Sequence, residues 1–274
     1  MGLKNLSEKF GSPGIFKTKK WKKWKEMEIL LDRNFQGFIM NEHSFATNDS
    51  FASSQLELSM QIKARVKDKH LIDEKRRQII EGAIKVFNKK GFHKATVREI
   101  AQEAKIGLGS VYDYVKSKDD ILYLFFENYV NTFFDKVKSR ASQITDPLLR
   151  LEVTFQAFVE AAMELEDQVM LSYTQVRYVK KNYLKVILRK ESEIVEHFRK
   201  IISELGEGPF GSFLEANFLV YSGVFGVLRR WILSPRFDQK EIIEFLVQSQ
   251  IKEVVGRIQG EKSYPQEARH GQVG

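Results

Sequence analysis

From Asp73 onward the apolar residues recur at three- and four-residue spacing and never settle into the alternation of a half-buried strand. Ile79, Ile80, Ala83, Ile84, Val86 and Phe87 set the pattern, one apolar face on a helix of about Asp73–Lys90. Five prolines in 274 residues leave little to interrupt such runs. The fold is therefore expected to be all-α.

Helix ends are marked as clearly as helix faces. Gly91 follows Lys89 and Lys90, as expected of a left-handed residue closing a helix whose C-terminal dipole favours cations. Thr96-Val97-Arg98-Glu99 reads as a capping box opening a second helix, which buries Val97, Ile100, Ala101 and Ala104 and breaks near Gly107. A short third helix covers about Leu108 to Val115. Ser117-Lys118-Asp119-Asp120 caps a fourth that reaches roughly Arg140. After Asp146-Pro147, a cap with proline at the first helical position, further helices are expected near 148–166, 168–181, 183–205, 212–233 and 238–258. Their breaks are Asn182, the Gly206–Gly211 segment and Ser234-Pro235. Residues 1–60 and 261–274 are expected to be irregular, a basic flexible extension and a disordered tail.

Composition removes several function classes. With no cysteine, disulfides, Cys-ligated zinc, iron–sulfur clusters and thiol catalysis are excluded, and a reducing cytoplasm fits. Lysines at 17, 19, 20, 22, 23 and 25 interrupt any secretory leader. The longest apolar run, Phe218–Leu228, is about half of the roughly 20 residues a bilayer requires, so no membrane partner is expected. Charge is uneven. Residues 61–118 carry fifteen Lys/Arg against seven Asp/Glu, an excess equal to the whole chain's net +8. A local basic surface beside a near-neutral remainder points to a polyanion for one domain only.

Residues 96–115 meet the requirements of a helix-turn-helix, whose second helix must fit a major groove about 12 Å wide. Ala101 and Ala104 are small enough for two helices to cross closely, and Gly107 is expected to let the chain turn sharply. Val111 and Val115 give the third helix one buried face. Leu108, Gly109, Ser110, Tyr112, Asp113 and Tyr114 are then left to project towards a ligand.

The stretch Ile79–Leu122 resembles the DNA-binding domain of the TetR family. The resemblance rests on Ala83, Phe87, Lys90-Gly91-Phe92, Ala95-Thr96-Val97, Ile100-Ala101, Ala104, Gly109-Ser110-Val111-Tyr112 and Ser117-Lys118-Asp119-Asp120-Ile121-Leu122. It implies a helix-turn-helix domain over 70–118 followed by a helical ligand-binding and dimerisation domain over 119–260. The implied partners are double-stranded operator DNA, a second copy of the chain and a small hydrophobic or amphipathic effector. By the same resemblance, Tyr112 and Tyr114 would bond phosphates, Lys118 would pair with the DNA backbone, and Thr96 would offer its hydroxyl and neighbouring amides to a phosphate. Leu108 and Ser110 would touch bases, with Gly109 allowing close approach. Two positions depart from the family. Lys105 stands where glycine is usual, so the turn is expected to differ slightly or to gain a phosphate contact. Asp113, an acid, stands where a neutral or basic residue is common.

Beyond residue 140 the resemblance is architectural. Phe126, Tyr129, Phe133, Phe155, Phe158, Met170, Tyr173 and Arg177 are the candidates for an effector pocket, with Arg177 and Arg189 as cations for an anionic ligand group. Helix 212–233 is apolar on more than one face, and Gly223 and Gly226 permit close approach of a partner helix. Tyr221, Val224, Phe225, Leu228, Ile243 and Val247 are expected at a two-fold interface. Gln175–Gly206 is loosely similar to family members that sense fatty acyl-CoA thioesters.

Other readings have less support. Gly206–Gly211 matches G-x-G-x-x-G, but a helix precedes it and proline sits inside, so an interhelical turn is expected. The five histidines are scattered, no metal site or cofactor is expected, and no catalytic residue can be singled out. The chain is not expected to be an enzyme. An architectural DNA-binding protein without an effector is the serious alternative. In the first sixty residues, Trp21, Trp24, Ile29 and Leu31 interleave with lysines and fit a short basic amphipathic helix; a flexible arm, or a true start at Met60, fits as well.

Overall fold

Nine α-helices and one 3-10 turn build the described residues, 62, 64–230 and 236–260, of a computed structural model. The N-terminal extension, Trp231, the Ser234-Pro235 break and the C-terminal tail lie outside the described residues. No strand occurs among those described.

Five of the nine helices begin where a side chain satisfies an orphan amide. Helix α1 (Lys69–Lys94) starts four residues before the periodicity does, because the Asp68 carboxylate accepts from the Leu71 amide at 3.1 Å. Gly91, at φ 75° and ψ 163°, breaks it one turn before its end. Thr96 caps α2 (Val97–Glu103), and α3 (Leu108–Tyr114) follows after a tight turn. Ser117 caps α4 (Lys118–Ala141), and Asp146 caps α5 (Pro147–Glu164) with proline in the first turn. The helix expected at 168–181 is instead α6 (Glu166–Gln175) and a 3-10 turn, Val176–Tyr178. Then come α7 (Lys181–Leu205), α8 (Gly211–Arg229) and α9 (Gln239–Ile258), the last opened by a second capping box between Asp238 and Glu241. Gly206 and Gly211, at φ 129° and 75°, turn the chain between α7 and α8. Ser172–Tyr178 falls outside the compact unit formed by the rest of the described chain.

Helices α1 to α3 form a small head. Helix α1 meets α2 backbone to backbone: a Cβ on Gly82 would lie 2.8 Å from both the Ala104 nitrogen and the Ile100 oxygen. Ile79, Ala83, Phe87, Ile100, Ala101, Val111 and Val115 fill the space between them. Helix α4 leaves this head and packs on α1, α5 and α7, while α5 is the central rod of the body, against α4, α7, α8 and α9.

The body is held by aromatic rings. Phe133, Phe155, Phe158 and Phe198 are buried and stand 5.1–6.2 Å apart in edge-on and stacked pairs, and each such side chain contributes roughly 1.5–3 kcal/mol by leaving water. Gly223 gives α8 room for this cluster, since a Cβ there would sit 2.9 Å from the Phe158 ring. Gly226 lies as close to Leu246. Both glycines therefore serve contacts within the chain, not the partner helix the sequence led us to expect.

Helix α8 is two-faced. Ala216, Leu219, Val224, Val227 and Leu228 are buried, whereas Phe213, Leu214, Phe218 and Tyr221 are exposed. By length and composition it would suit a bilayer. Its Glu215, only 2% exposed, is nevertheless clamped by Nε and Nη2 of Arg257 at 2.8 and 2.6 Å.

Candidate nucleic-acid interface

The turn between α2 and α3 sets the direction of α3. Its left-handed residue is Lys105, at φ 57°, the one non-glycine with positive φ among the described residues. Gly107 has φ −59° and ψ 139°, open to any residue, and a Cβ there would touch nothing. The sharp turn expected of Gly107 is thus made by Lys105. Side chains in that conformation cost about 1–2 kcal/mol.

Along α3, Val111 and Val115 are buried as expected, and Tyr114 is buried with them at 5% exposure. Tyr114 does not project. It lies three residues from Val111, and that spacing returns a side chain to the same helical face. Tyr112 is 42% exposed and Gly109 is open, with Leu108, Ser110 and Asp113 half-exposed around them. These five residues make the outward face of α3.

Two residues expected on phosphate have other partners. The Thr96 hydroxyl donates its proton to Glu99 at 2.8 Å and accepts from the Glu99 amide, while the Thr96 amide also donates to that carboxylate. Bonding from Lys90 and Thr96 pulls the Glu99 carboxyl down to about 2. This helix start therefore already holds its own anion. Lys118 Nζ donates to the carbonyls of Phe92, Ala95 and His93 at 2.8, 2.9 and 3.3 Å and lies over the Phe92 ring. Burial pushes its pKa down. An ammonium has three protons, and all three are spent tying the start of α4 to the last turn of α1 and to Ala95.

The far end of α3 is closed by residues that sequence reasoning missed. Its orphan carbonyls are met from outside: the Arg65 amide donates to the Asp113 oxygen at 2.7 Å, and Arg76 donates to the Tyr114 oxygen at 3.2 and 3.3 Å. Arg76 also donates to the Ile62 carbonyl. Just beyond, buried Asp120 accepts from the Lys116 amide at 2.9 Å and from the Tyr183 hydroxyl of α7 at 2.7 Å. Burial and the bond to Asp120 raise the Tyr183 hydroxyl to about 12. Tyr183 stacks on Tyr123, whose hydroxyl donates to Glu127. Asp120 had been legible only as part of a helix start. The alternation Lys63-Ala64-Arg65-Val66-Lys67 was the available signal for the arm.

In the body, Phe126, Phe133, Phe155 and Phe158 come together as core. Tyr129 borders a cavity of about 60 Å³ with Ile84, Phe125 and Leu165. Met170 is half-buried. Tyr173 and Arg177 belong to the separate segment, where Arg177 lies over Tyr178; Arg189 is exposed. Of the expected interface residues, Tyr221 is exposed and Phe225 and Ile243 are half-exposed. Val224, Leu228 and Val247 are buried within the chain's own core.

Residues 79–123 match the family described as bacterial regulatory proteins, tetR family. The chain is 28% identical over 187 residues to the HTH-type transcriptional regulator HbdR of Aromatoleum sp. (strain CIB), covering 67% of this chain and 82% of that protein. It is 28% identical over 100 residues to the HTH-type transcriptional repressor KstR2 of Mycobacterium tuberculosis, covering 36% of this chain and 50% of that one. The fold is shared with the transcriptional regulator FadR of Bacillus subtilis, solved in complex with stearoyl-CoA. That likeness has a TM-score of 0.54 at 17% identity and covers 66% of this chain and 98% of that one.

Proposed function

The chain belongs to the TetR family of DNA-binding transcription regulators, and from that premise we propose that it is a cytoplasmic repressor. In this reading it holds operator DNA as a homodimer through residues 70–118. It releases the DNA when a small hydrophobic or amphipathic effector binds the helical body, residues 119–260.

The observation that carries the reading is α3. It is a seven-residue helix with Val111, Tyr114 and Val115 locked inward and Gly109 and Tyr112 open, a rod of about 10 Å at 1.5 Å per residue. Repression is supported by the name of the KstR2 relative, and an acyl-CoA effector by the ligand in FadR. Tyr183 on Asp120 supports release, because through Asp120 it links α7 of the body to the Lys116 amide, two residues beyond α3. The exposed apolar face of α8, with Phe213, Leu214, Phe218 and Tyr221, supports pairing of two copies.

The test is titration of the protein against its own upstream region and a random duplex of equal length at physiological ionic strength. Preference for the upstream region, lost on adding an acyl-CoA or a multidrug ligand, is the expected result. Equal affinity for both duplexes overturns the proposal. Preference without any ligand response favours an architectural DNA-binding protein. The closed packing of Phe126, Phe133, Phe155 and Phe158 supports that second reading.

A further inference from the structure

The residues before α1 are pinned to the recognition helix in a way that a loose leader would not be. The Arg65 amide closes the Asp113 carbonyl at 2.7 Å, and Arg76 bridges the carbonyls of Ile62 and Tyr114. This stretch has two faces. Ile62, Ala64 and Val66 are half-buried, while Arg65 and Lys67 between them are exposed, as the two-residue period of an extended chain requires. No ion pair among the described residues involves Arg65 or Lys67. Two cations thus stand beside the end of α3 with no ion-pair partner among the described residues.

Size then decides what they face. At seven residues α3 is about 10 Å long, shorter than the roughly 12 Å width of the major groove. A group fixed at its end stands beside a phosphate wall and not over base edges. We propose that residues 64–67 are a basic arm of the DNA interface, with Arg65 and Lys67 contacting backbone phosphates at the edge of the groove that α3 enters. The arm supplies sequence-independent affinity and orientation. Capping of α3 comes from the Arg65 backbone, so its exposed side chain can take this second role. The assignment also replaces the cationic contact that Lys118, already bonded, does not offer.

The inference rests on the DNA-binding reading, and a salt titration separates the two. Full-length protein and its Arg65→Ala/Lys67→Ala variant are titrated with the duplex of the chain's own upstream region. Alanine keeps the Arg65 amide bond to Asp113, and an unchanged far-UV spectrum and thermal midpoint verify the fold. Loss of two phosphate contacts makes the slope of log K against log salt shallower by about 1.8. The advantage of the unmodified protein then shrinks about twelvefold between about 0.05 and 0.2 M salt. A charge-retaining Arg65→Lys/Lys67→Arg variant keeps the original slope. Equal slopes for the alanine variant and the unmodified protein overturn the arm while leaving the regulator reading intact. Failure of the unmodified protein to bind removes both.

Discussion

Head and body both bury apolar side chains between helices, but different forces hold their geometry. In the head, polar groups close the helix ends: Thr96 and Glu99 cap each other, Lys118 gathers three carbonyls, and Arg65 and Arg76 finish α3. In the body, where Asp146 and the Asp238–Glu241 box also cap helix starts, the larger part falls to the rings of Phe133, Phe155, Phe158 and Phe198, which meet edge-on and stacked. The contrast follows from what each part must do. A helix of seven residues is too short to be stable alone, so its direction has to be imposed by bonds with defined angles. Longer helices can rely on area, which is non-directional.

That contrast is open to direct attack. The largest effect is expected for Phe158→Ala, which empties the ring cluster and lowers unfolding free energy by roughly 3–5 kcal/mol in urea titration; DNA discrimination by the remaining folded protein is unchanged. Lys118→Met removes three charged hydrogen bonds and costs roughly 1.5–3 kcal/mol, yet leaves the salt slope of DNA binding as it was. A slope shallower by about one would return Lys118 to the phosphate contacts. Lys105→Gly relieves a left-handed side chain and raises stability by about 1 kcal/mol, read as a higher thermal midpoint.

Smaller effects separate the two regions by pH. His197, in the body, has its pKa lowered by burial and then by Lys138, Arg150 and Lys200, and its Nε2 is buried without a partner. The unfolded chain therefore takes up the proton first, and stability falls as pH drops below about 6.5. Glu99, in the head, is depressed to about 2, so its contribution is present above about 4.5 and lost as pH falls from there through 2. In an acid titration followed by circular dichroism, His197→Phe is expected to remove the first decline. Glu99→Gln is expected to remove the second. If both variants retain both declines, the two regions do not carry separate acid windows.

Most of the fold was legible because helix signals are local. The Thr96–Glu99 box, the Asp146-Pro147 start and the Gly91 break each lie within a few residues, and each is in place. The site was legible in part. Val111 inward and Tyr112 outward follow from spacing alone, and the same rule, applied to Tyr114, would have turned it inward. Lys118 was misread because an exposed lysine and one folded back on three carbonyls look the same in sequence. Val224, Leu228 and Val247 were misplaced because a helix apolar on several sides does not say which side its own chain covers.

The order of elements, their all-helical character and the basic stretch over 61–118 were determined by the sequence itself, since periodicity, caps and charge are properties of neighbouring residues. Only the tertiary structure decided that Lys105 carries the turn, that Gly223 makes room for Phe158, and that Arg65 and Arg76 complete the recognition helix. These are choices among partners far apart in the chain. The free energy of such a pairing depends on the whole packed arrangement and not on any short window of residues.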